Sequence, residues 1–311
     1  MAQAYSRERR AVLAEQLREK VPGLELVVDA PMSEHTSFHI GGPADILAAP
    51  AGEEALRRLL LWARDGGVPL TVIGRGTNLL VRDRGVRGLV VRVGQGLDGT
   101  EVSDSVISAG AGLPLAELSR LAAARGLAGL AWACGIPGSL GGALVMNAGA
   151  YDGEMKDVVK RVEVMRPDGT RAWLSAADLD FAYRHSALQG ADLVALRAEL
   201  GLKPGDRSAI EAEMAEFDRR RAGSQPLELP SAGSVFRRPP NHFVGPTITQ
   251  AGLRGARIGG AQVSEKHAGF IVNRGGATAG DVLELIERIR AEVKAKFNLD
   301  LVQEIRIIGE G

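Results

Sequence analysis

Ser234 is the first residue whose setting suggests chemistry. It lies in P-S-A-G-S-V-F-R-R-P-P, residues 230–240, after a glycine and before an apolar pair. A serine so placed is a nucleophile, a turn residue or something less usual. The nucleophile reading lacks its usual frame, because a triad serine typically occupies G-x-S-x-G and the run here is A-G-S-V-F. The histidines (His35, His39, His185, His242 and His267) form no H-E-x-x-H and no other metal spacing. A hydrolase therefore has little support, and no metal site is expected. Two further polar residues are notable for their context. Arg184 follows an aromatic residue in Y-R-H-S rather than lying on a helix face. Glu304 belongs to an alternating run in which Val302, Glu304 and Arg306 share one face, a pattern that a solvated charged face explains.

Two glycine-rich segments point to a large ligand. Gly74-Arg75-Gly76-Thr77-Asn78 follows a short apolar strand, and its unobstructed backbone amides could surround a pyrophosphate. Neither G-x-G-x-x-G nor G-x-x-x-x-G-K-[ST] occurs there, so both standard nucleotide fingerprints are absent. The second segment, Pro137-Gly138-Ser139-Leu140-Gly141-Gly142, is too rich in glycine for a helix interior or a central strand. Asn147-Ala148-Gly149-Ala150-Tyr151 follows it. Small side chains over residues 135–150 suit direct contact between main chain and a flat ligand. Alternatively, they suit a close crossing of two backbones.

The elements that must position these residues can be read from apolar spacing. A helix is expected over residues 6–20, with Val12, Leu13 and Leu17 on one side, ended by Gly23. Residues 36–50 read as strand, glycine turn, strand. A helix over 53–65 has Leu56, Leu59, Leu60 and Ala63 on one face and Gly66 as its stop. Strands are expected at 68–74, 85–93, 104–112 and 192–200, and a helix at 115–125 closed by Gly126. Pro167-Asp168-Gly169 signals a hairpin. Ser208 and Glu211 have capping-box spacing at the start of a charged helix that runs to about residue 222. A last helix over 278–297 places Val282, Leu285, Ile286, Ile289 and Val293 on one stripe, and residues 301–309 read as a strand. Helices and strands alternate only in part, which favours an α+β architecture over a doubly wound sheet.

Bulk properties narrow the class. The 311 residues exceed the size at which one core usually stops growing. Lys plus Arg equals Asp plus Glu, 38 against 38, which gives no sign of a nucleic-acid or membrane-surface protein. The single cysteine, Cys134, excludes an internal disulfide and a four-thiolate zinc site. The charged N-terminal stretch has no apolar core, so it is not read as a signal peptide. No window approaches a membrane span. A cytoplasmic, soluble protein is expected.

The motifs together bring a specific resemblance. G-R-G-T-N plus I-P-G-S-L-G-G-A-L-V-M-N-A-G-A-Y resembles the flavin-binding signature of the UDP-N-acetylenolpyruvoylglucosamine reductases, which have an FAD-binding fold of the vanillyl-alcohol-oxidase (PCMH) type. The similarity continues through T-S-F-H-I-G-G-P-A-D, Y-R-H-S, A-G-S-V-F, A-G-L-R-G, I-G-G-A-Q-V-S-E-K-H-A-G-F-I-V-N and Q-E-I-R-I-I-G, spanning residues 36–309. The short interval from 184 to 234 resembles the family's second type, which lacks a substrate-covering loop. This resemblance implies an N-terminal helical segment (1–30), two FAD-binding lobes (31–93 and 94–206) and a C-terminal α+β substrate-binding domain (207–311).

The resemblance also implies a reaction. NADPH reduces non-covalently bound FAD, and the flavin then reduces UDP-N-acetylglucosamine-enolpyruvate to UDP-N-acetylmuramate in peptidoglycan precursor synthesis. Hydride goes to the terminal carbon of the enol ether, leaving carbanion character beside the carboxylate. Arg184, Ser234 and Glu304 match the family's catalytic positions. Arg184 offers a charged fork for the carboxylate. Glu304, held protonated, would hydrogen-bond the developing enolate. Ser234 would donate the proton, since the carbanion is a strong base and position matters first. The cofactor contacts implied are Gly74, Arg75, Gly76, Thr77, Asn78 and Leu79 in the first loop. In the second they are Pro137, Gly138, Ser139, Gly141 and Gly142, followed by Asn147, Ala148 and Gly149, with Val194 beyond. Tyr183, Arg237, Arg254 and Lys266 are the expected substrate or nucleotide contacts. A monomer is expected, with UDP-sugar and NADPH as partners and neither nucleic acid nor membrane insertion. Another FAD-dependent oxidoreductase of the same fold, acting on a sugar or hydroxy acid, is the alternative, and a non-catalytic flavin or sugar-nucleotide binder is the rival from another class. The pairing of A-G-S with Q-E-I-R argues against the oxidase.

The sequence departs from the family pattern at several places. Arg75 stands where glycine is usual, Thr77 where serine is usual, and Asp152 follows N-A-G-A-Y in place of glycine. Arg237 and Arg238 occupy positions where lysine and asparagine are usual, and Arg254 replaces a lysine with its charge kept.

Overall fold

A computed structural model describes residues 5–311. The expectation for the charged N-terminal stretch falls in part on residues 1–4, outside the described residues. Ser6 accepts the Arg9 N–H at 3.1 Å and so caps helix α1 (Arg7–Lys20). Its buried side is Leu13, Ala14 and Leu17. Val12 is 49% exposed, because the stripe continues from Leu13 to Leu17 at i, i+4 and leaves residue 12 off the face. Helix α2 (Glu53–Asp65) buries Leu56, Leu59, Leu60 and Ala63 and is closed by Gly66, as its spacing predicts. Each such leucine contributes roughly 1.5–3 kcal/mol by leaving water.

A four-stranded sheet has the order Glu25–Pro31, Pro43–Ala49, Val86–Arg92, Leu70–Ile73, the last two parallel. A five-stranded antiparallel sheet has the order Arg171–Ser175, Val159–Met165, Val194–Gly201, Val106–Gly110, Thr100–Ser103. The expected hairpin joins its first two strands, with Val162 opposite Leu174. Helices α3 (Leu115–Ala124), α4 (Leu140–Met146) and α5 (Arg207–Ser224) follow in chain order.

The chain divides into two compact units, each discontinuous in sequence. One comprises the described residues up to Val28, Ile46–Arg75 and Gly88–Arg221. Its core is aliphatic, with Leu59, Leu89, Ile107, Leu118, Leu144 and Leu200 fully buried. The other comprises Asp29–Asp45, Gly76–Arg87 and Ala222–Gly311. It holds helices α6 (Val244–Gln250) and α7 (Ala279–Phe297) and the antiparallel sheet Ser231–Ser234, Phe270–Asn273, Ala261–Val263, Arg257–Ile258. All five predicted stripe residues of α7 are buried. Thr278 caps that helix in a capping box with Asp281, and Asp83 accepts the N–H groups of Ala279 and Gly280 at 2.8 and 2.9 Å.

Four readings of local structure are corrected. Residues 36–42 are not a strand: His39 has φ 53°, Thr36 Oγ1 donates to Ile40 O at 3.2 Å, and Asn273 Nδ2 donates to Phe38 O at 3.2 Å. Side chains therefore take the backbone groups that a ladder would need. Helix α5 is capped by Asp206, whose Oδ1 accepts the Ala209 N–H at 2.8 Å, not by Ser208. The second glycine segment does enter a helix, with Gly141 and Gly142 in the first turn of α4. There Gly141 allows close packing, since a Cβ would meet Ala111 at 3.1 Å. The C-terminal strand is shorter than expected: Arg306–Ile308 pairs in parallel with Leu79–Val81, and before it only a single bridge joins Gln303 to Phe236. No helix of the described residues is long and apolar enough to cross a membrane.

Candidate active site

The bend of the Ser231–Ser234 strand aims the serine. Ser231 stands opposite Val272 and Ser234 opposite Phe270, so three steps on one strand face two on the other. The extra residue is accommodated by Gly233 at φ 80°, a conformation that glycine adopts freely. A bulge of this kind re-aims the next side chain. Ser234 is half-buried, and its hydroxyl donates to Phe236 O at 3.1 Å.

The same run is laced to the C-terminal segment. Glu304 N donates to Val235 O at 2.8 Å, and Arg237 N donates to Val302 O at 2.8 Å. Glu304 thus lies one backbone hydrogen bond from the residue after Ser234. The first glycine loop joins them: Asn78 Nδ2 donates to Glu304 O at 3.4 Å, and Asn78 O accepts from Arg306 N at 2.9 Å. Glu304 is half-buried while Val302 is 57% exposed and Arg306 is exposed, so the solvated face does not extend fully to the glutamate.

Arg184 sits in the other unit with a built support of its own. Ala182 and His185 exchange both backbone hydrogen bonds, at 3.1 and 3.0 Å, and Arg184 turns the corner at φ 54°. A non-glycine residue in that region costs of order 1–3 kcal/mol and persists where its surroundings enforce it. The enforcement is visible. Asn147 Nδ2 donates to Ala182 O at 3.0 Å, and Ser186 Oγ donates to Val145 O at 2.9 Å. Gln189 Nε2 donates to Arg184 O at 3.0 Å, and the guanidinium donates to Gly149 O at 3.0 Å. The turn is therefore fastened to the end of α4 and the N-A-G segment behind it.

Asn147 carries a role that composition does not display. It ends α4 in the left-handed conformation, is fully buried, and spends its side chain on Glu154, Ala182 and Lys156 N. The signal was present: asparagine just past a helix end is a common left-handed cap. Tyr151 stacks on Phe217 at 4.3 Å, bringing the middle of α5 onto the same segment. Cys134 is buried nearby, its thiol donating to Asp218 at 3.3 Å. Burial, reinforced by Asp218, pushes it up to about 11, so it is an inert thiol at neutral pH.

The remaining expected residues are distributed as follows. Gly74, Arg75, Pro137, Gly138, Ser139, Gly141, Gly142, Ala148, Gly149, Tyr183 and Val194 fall in the unit of Arg184, and Gly76, Thr77, Leu79, Arg237, Arg254 and Lys266 in that of Ser234 and Glu304. Val194 opens its strand with its side chain in the core. Lys266 Nζ donates to Ala222 O at 2.7 Å, and Ser264 Oγ accepts the N–H groups of Lys266 and His267 at 3.2 Å. Burial lowers the His267 imidazole, whose Nδ1 accepts the Gly269 N–H at 3.1 Å. Arg238 leaves the strand and places its guanidinium 3.9 Å from the centre of the exposed Phe243 ring. Among the described residues no cluster could hold a metal ion.

Two observations test whether these residues suit a flavin dinucleotide. Ser139 is 1% exposed, yet its Oγ has no hydrogen-bond partner among the described residues. A buried polar atom of this kind calls for a ligand group. A Cβ on Gly74 would lie 2.5 Å from that same Oγ, so the first glycine segment fits against the second at this point only without a side chain. The residues present fit the group.

Comparison with known proteins agrees. A profile described as UDP-N-acetylenolpyruvoylglucosamine reductase, C-terminal domain, matches residues 225–308, and an FAD binding domain matches residues 44–175. The chain is 46% identical over 290 residues to the UDP-N-acetylenolpyruvoylglucosamine reductase of Syntrophomonas wolfei, covering 93% of this chain and 97% of that one. It is 49% identical over 281 residues to the enzyme of that name from Heliobacterium modesticaldum, covering 90% of each. The solved structure of UDP-N-acetylenolpyruvylglucosamine reductase (MurB) from Thermus caldophilus superposes with a TM-score of 0.78 at 37% identity, over 92% of this chain and 99% of that one. With its glycine segments, its A-G-S strand laced to Q-E-I-R and this likeness along nearly its whole length, the chain belongs to the UDP-N-acetylenolpyruvoylglucosamine reductase family of FAD-binding oxidoreductases.

Proposed function

We propose that this chain reduces UDP-N-acetylglucosamine-enolpyruvate to UDP-N-acetylmuramate with NADPH, using Arg184, Ser234 and Glu304. The observation that supports this reading best is the direct lacing of the A-G-S strand to Q-E-I-R through Glu304 N and Val235 O at 2.8 Å. Gly74 to Asn78, Pro137 to Gly142 and Asn147 to Gly149 would hold the dinucleotide, largely through main chain, since the Asn147 side chain is already engaged. Bound FAD supplies hydride transfer between NADPH and the terminal carbon of the enolpyruvyl group.

The chain's own residues supply the rest. The Arg184 guanidinium takes the substrate carboxylate, its backbone held rigid by the strained turn. As negative charge spreads from carbon onto the carboxylate oxygens, Glu304 hydrogen-bonds the enolate oxygen. Ser234 leaves its bond to Phe236 O and gives its proton to the carbon beside the carboxylate, recovering one from solvent afterwards. Arg237 Nε is buried without a hydrogen-bond partner among the described residues, which suits an oxygen of the UDP-sugar. Tyr183, 47% exposed, with Arg254 and Lys266, completes the proposed substrate contacts. The divisions 1–30, 31–93, 94–206 and 207–311, a cytoplasmic location and a monomeric state belong to the same proposal.

The purified protein should be yellow. With oxygen excluded, it should oxidise NADPH in step with added enolpyruvyl substrate. Correctly folded protein that takes up no FAD, or that oxidises NADPH at the same rate without substrate, would reject the reading.

A further inference from the structure

The loop of G-R-G-T-N touches the A-G-S strand through a residue outside both. Ser37 N donates to Gly76 O at 3.3 Å. Ser37 Oγ donates to Ser231 O at 2.7 Å, and Ser231 N donates back to Ser37 O at 3.1 Å. Ser37 and Ser231 are 194 positions apart and both half-buried. The contact is close: a Cβ on Gly76 would lie 2.2 Å from His35 O, so no side chain can separate loop from segment. Residues 36–39 are themselves rigid, because Asn273 donates to Phe38 O and His39 O at 3.2 and 3.3 Å.

The geometry points to Ser37 as a positioning residue for Ser234. It clamps the start of the Ser231–Ser234 strand to the glycine loop, while Asn78 ties that loop to Glu304. The strand is also held by its pairing with Phe270–Asn273, which is interrupted by the bulge at Gly233, and by flanking backbone bonds from Asn273 N to Pro230 O and from Val235 N to Gly269 O, each at 2.9 Å. Removing the Ser37 hydroxyl takes away the side-chain half of this clamp, leaves the backbone bond from Ser231 N to Ser37 O, and loosens the end of the strand from which the bulge aims Ser234. Misplacement of a catalytic group by about 1 Å costs up to ~10²-fold in rate. Ser37 bonds the strand at Ser231, three residues before Ser234, so its effect passes through the strand. The inference rests on the role proposed for Ser234.

Three variants test it in the flavin-loaded enzyme: Ser37→Ala, Ser37→Thr and Ser234→Ala. Ser37→Ala should leave flavin content and NADPH-driven flavin reduction within about twofold, and slow reoxidation by the enolpyruvyl substrate about tenfold. Ser37→Thr, which keeps the hydroxyl, should restore most of that rate. Amide hydrogen exchange should rise in residues 231–235 of Ser37→Ala. Equal losses in both half-reactions, loss of flavin, failure to fold with no rescue by threonine, or unchanged exchange in 231–235 would overturn the inference. If Ser234→Ala leaves reoxidation intact, the role of Ser234 itself fails. Slow Ser234→Ala with normal Ser37→Ala rejects Ser37 alone.

Discussion

Ser234→Ala should reduce its flavin with NADPH at nearly the normal rate and reoxidise it with the enolpyruvyl substrate about 10²–10⁴-fold more slowly, the range expected for loss of a positioned proton donor. The asymmetry follows from the chemistry, because a proton goes to carbon only in the second half-reaction. Fold stability should change little. The hydroxyl donates to Phe236 O, a bond worth about 1 kcal/mol. Stopped-flow absorbance separates the two half-reactions. Equal slowing of both would make Ser234 a structural residue.

Arg87→Met should destabilise the protein by about 3–5 kcal/mol, the cost of stranding one partner of a buried ion pair. Arg87 donates to Asp45 at 2.5 Å, with the carboxylate side chain fully buried and the guanidinium 8% exposed. It also donates to Arg84 O and Pro43 O, tying the strands at Pro43 and Val86 together. Removing the cation takes from the fully buried Asp45 side chain its ion-pair partner. The double change Arg87→Met with Asp45→Leu should recover much of the loss, since it removes both members of the buried pair. Urea unfolding of the three proteins measures both effects, and a loss below about 1 kcal/mol for the single change would show the pair to be effectively solvated.

Neither Arg87 nor Ser37 announces itself in the sequence, and the reason is physical. Spacing reports local periodicity, and it served well for α2 and α7, whose apolar stripes and stops emerge as read. It served less well where side chains compete for backbone groups. Asp206 takes the cap that Ser208 seemed to offer, and Asn273 and Thr36 consume the groups that a strand at 36–42 would use. The glycine segments were legible because small residues leave few uses besides close approach. The Gly74–Ser139 contact bears that out. Arg184 and Glu304 were legible only through resemblance. A left-handed turn at Arg184 depends on Asn147, 37 positions earlier, and Glu304 is set by Val235 and Asn78. Such pairings join residues too distant in sequence for any local pattern to record.

The most direct test of the central claim is the origin of the hydrogen at the carbon beside the carboxylate. In heavy water without oxygen, NADPH carrying ordinary hydrogen is mixed with the enzyme and the enolpyruvyl substrate, and the product is read by NMR. The account predicts UDP-N-acetylmuramate with solvent deuterium at the carbon beside the carboxylate, formed one for each NADPH consumed. Solvent deuterium absent from the carbon beside the carboxylate, or NADPH consumption with no such product, would contradict it.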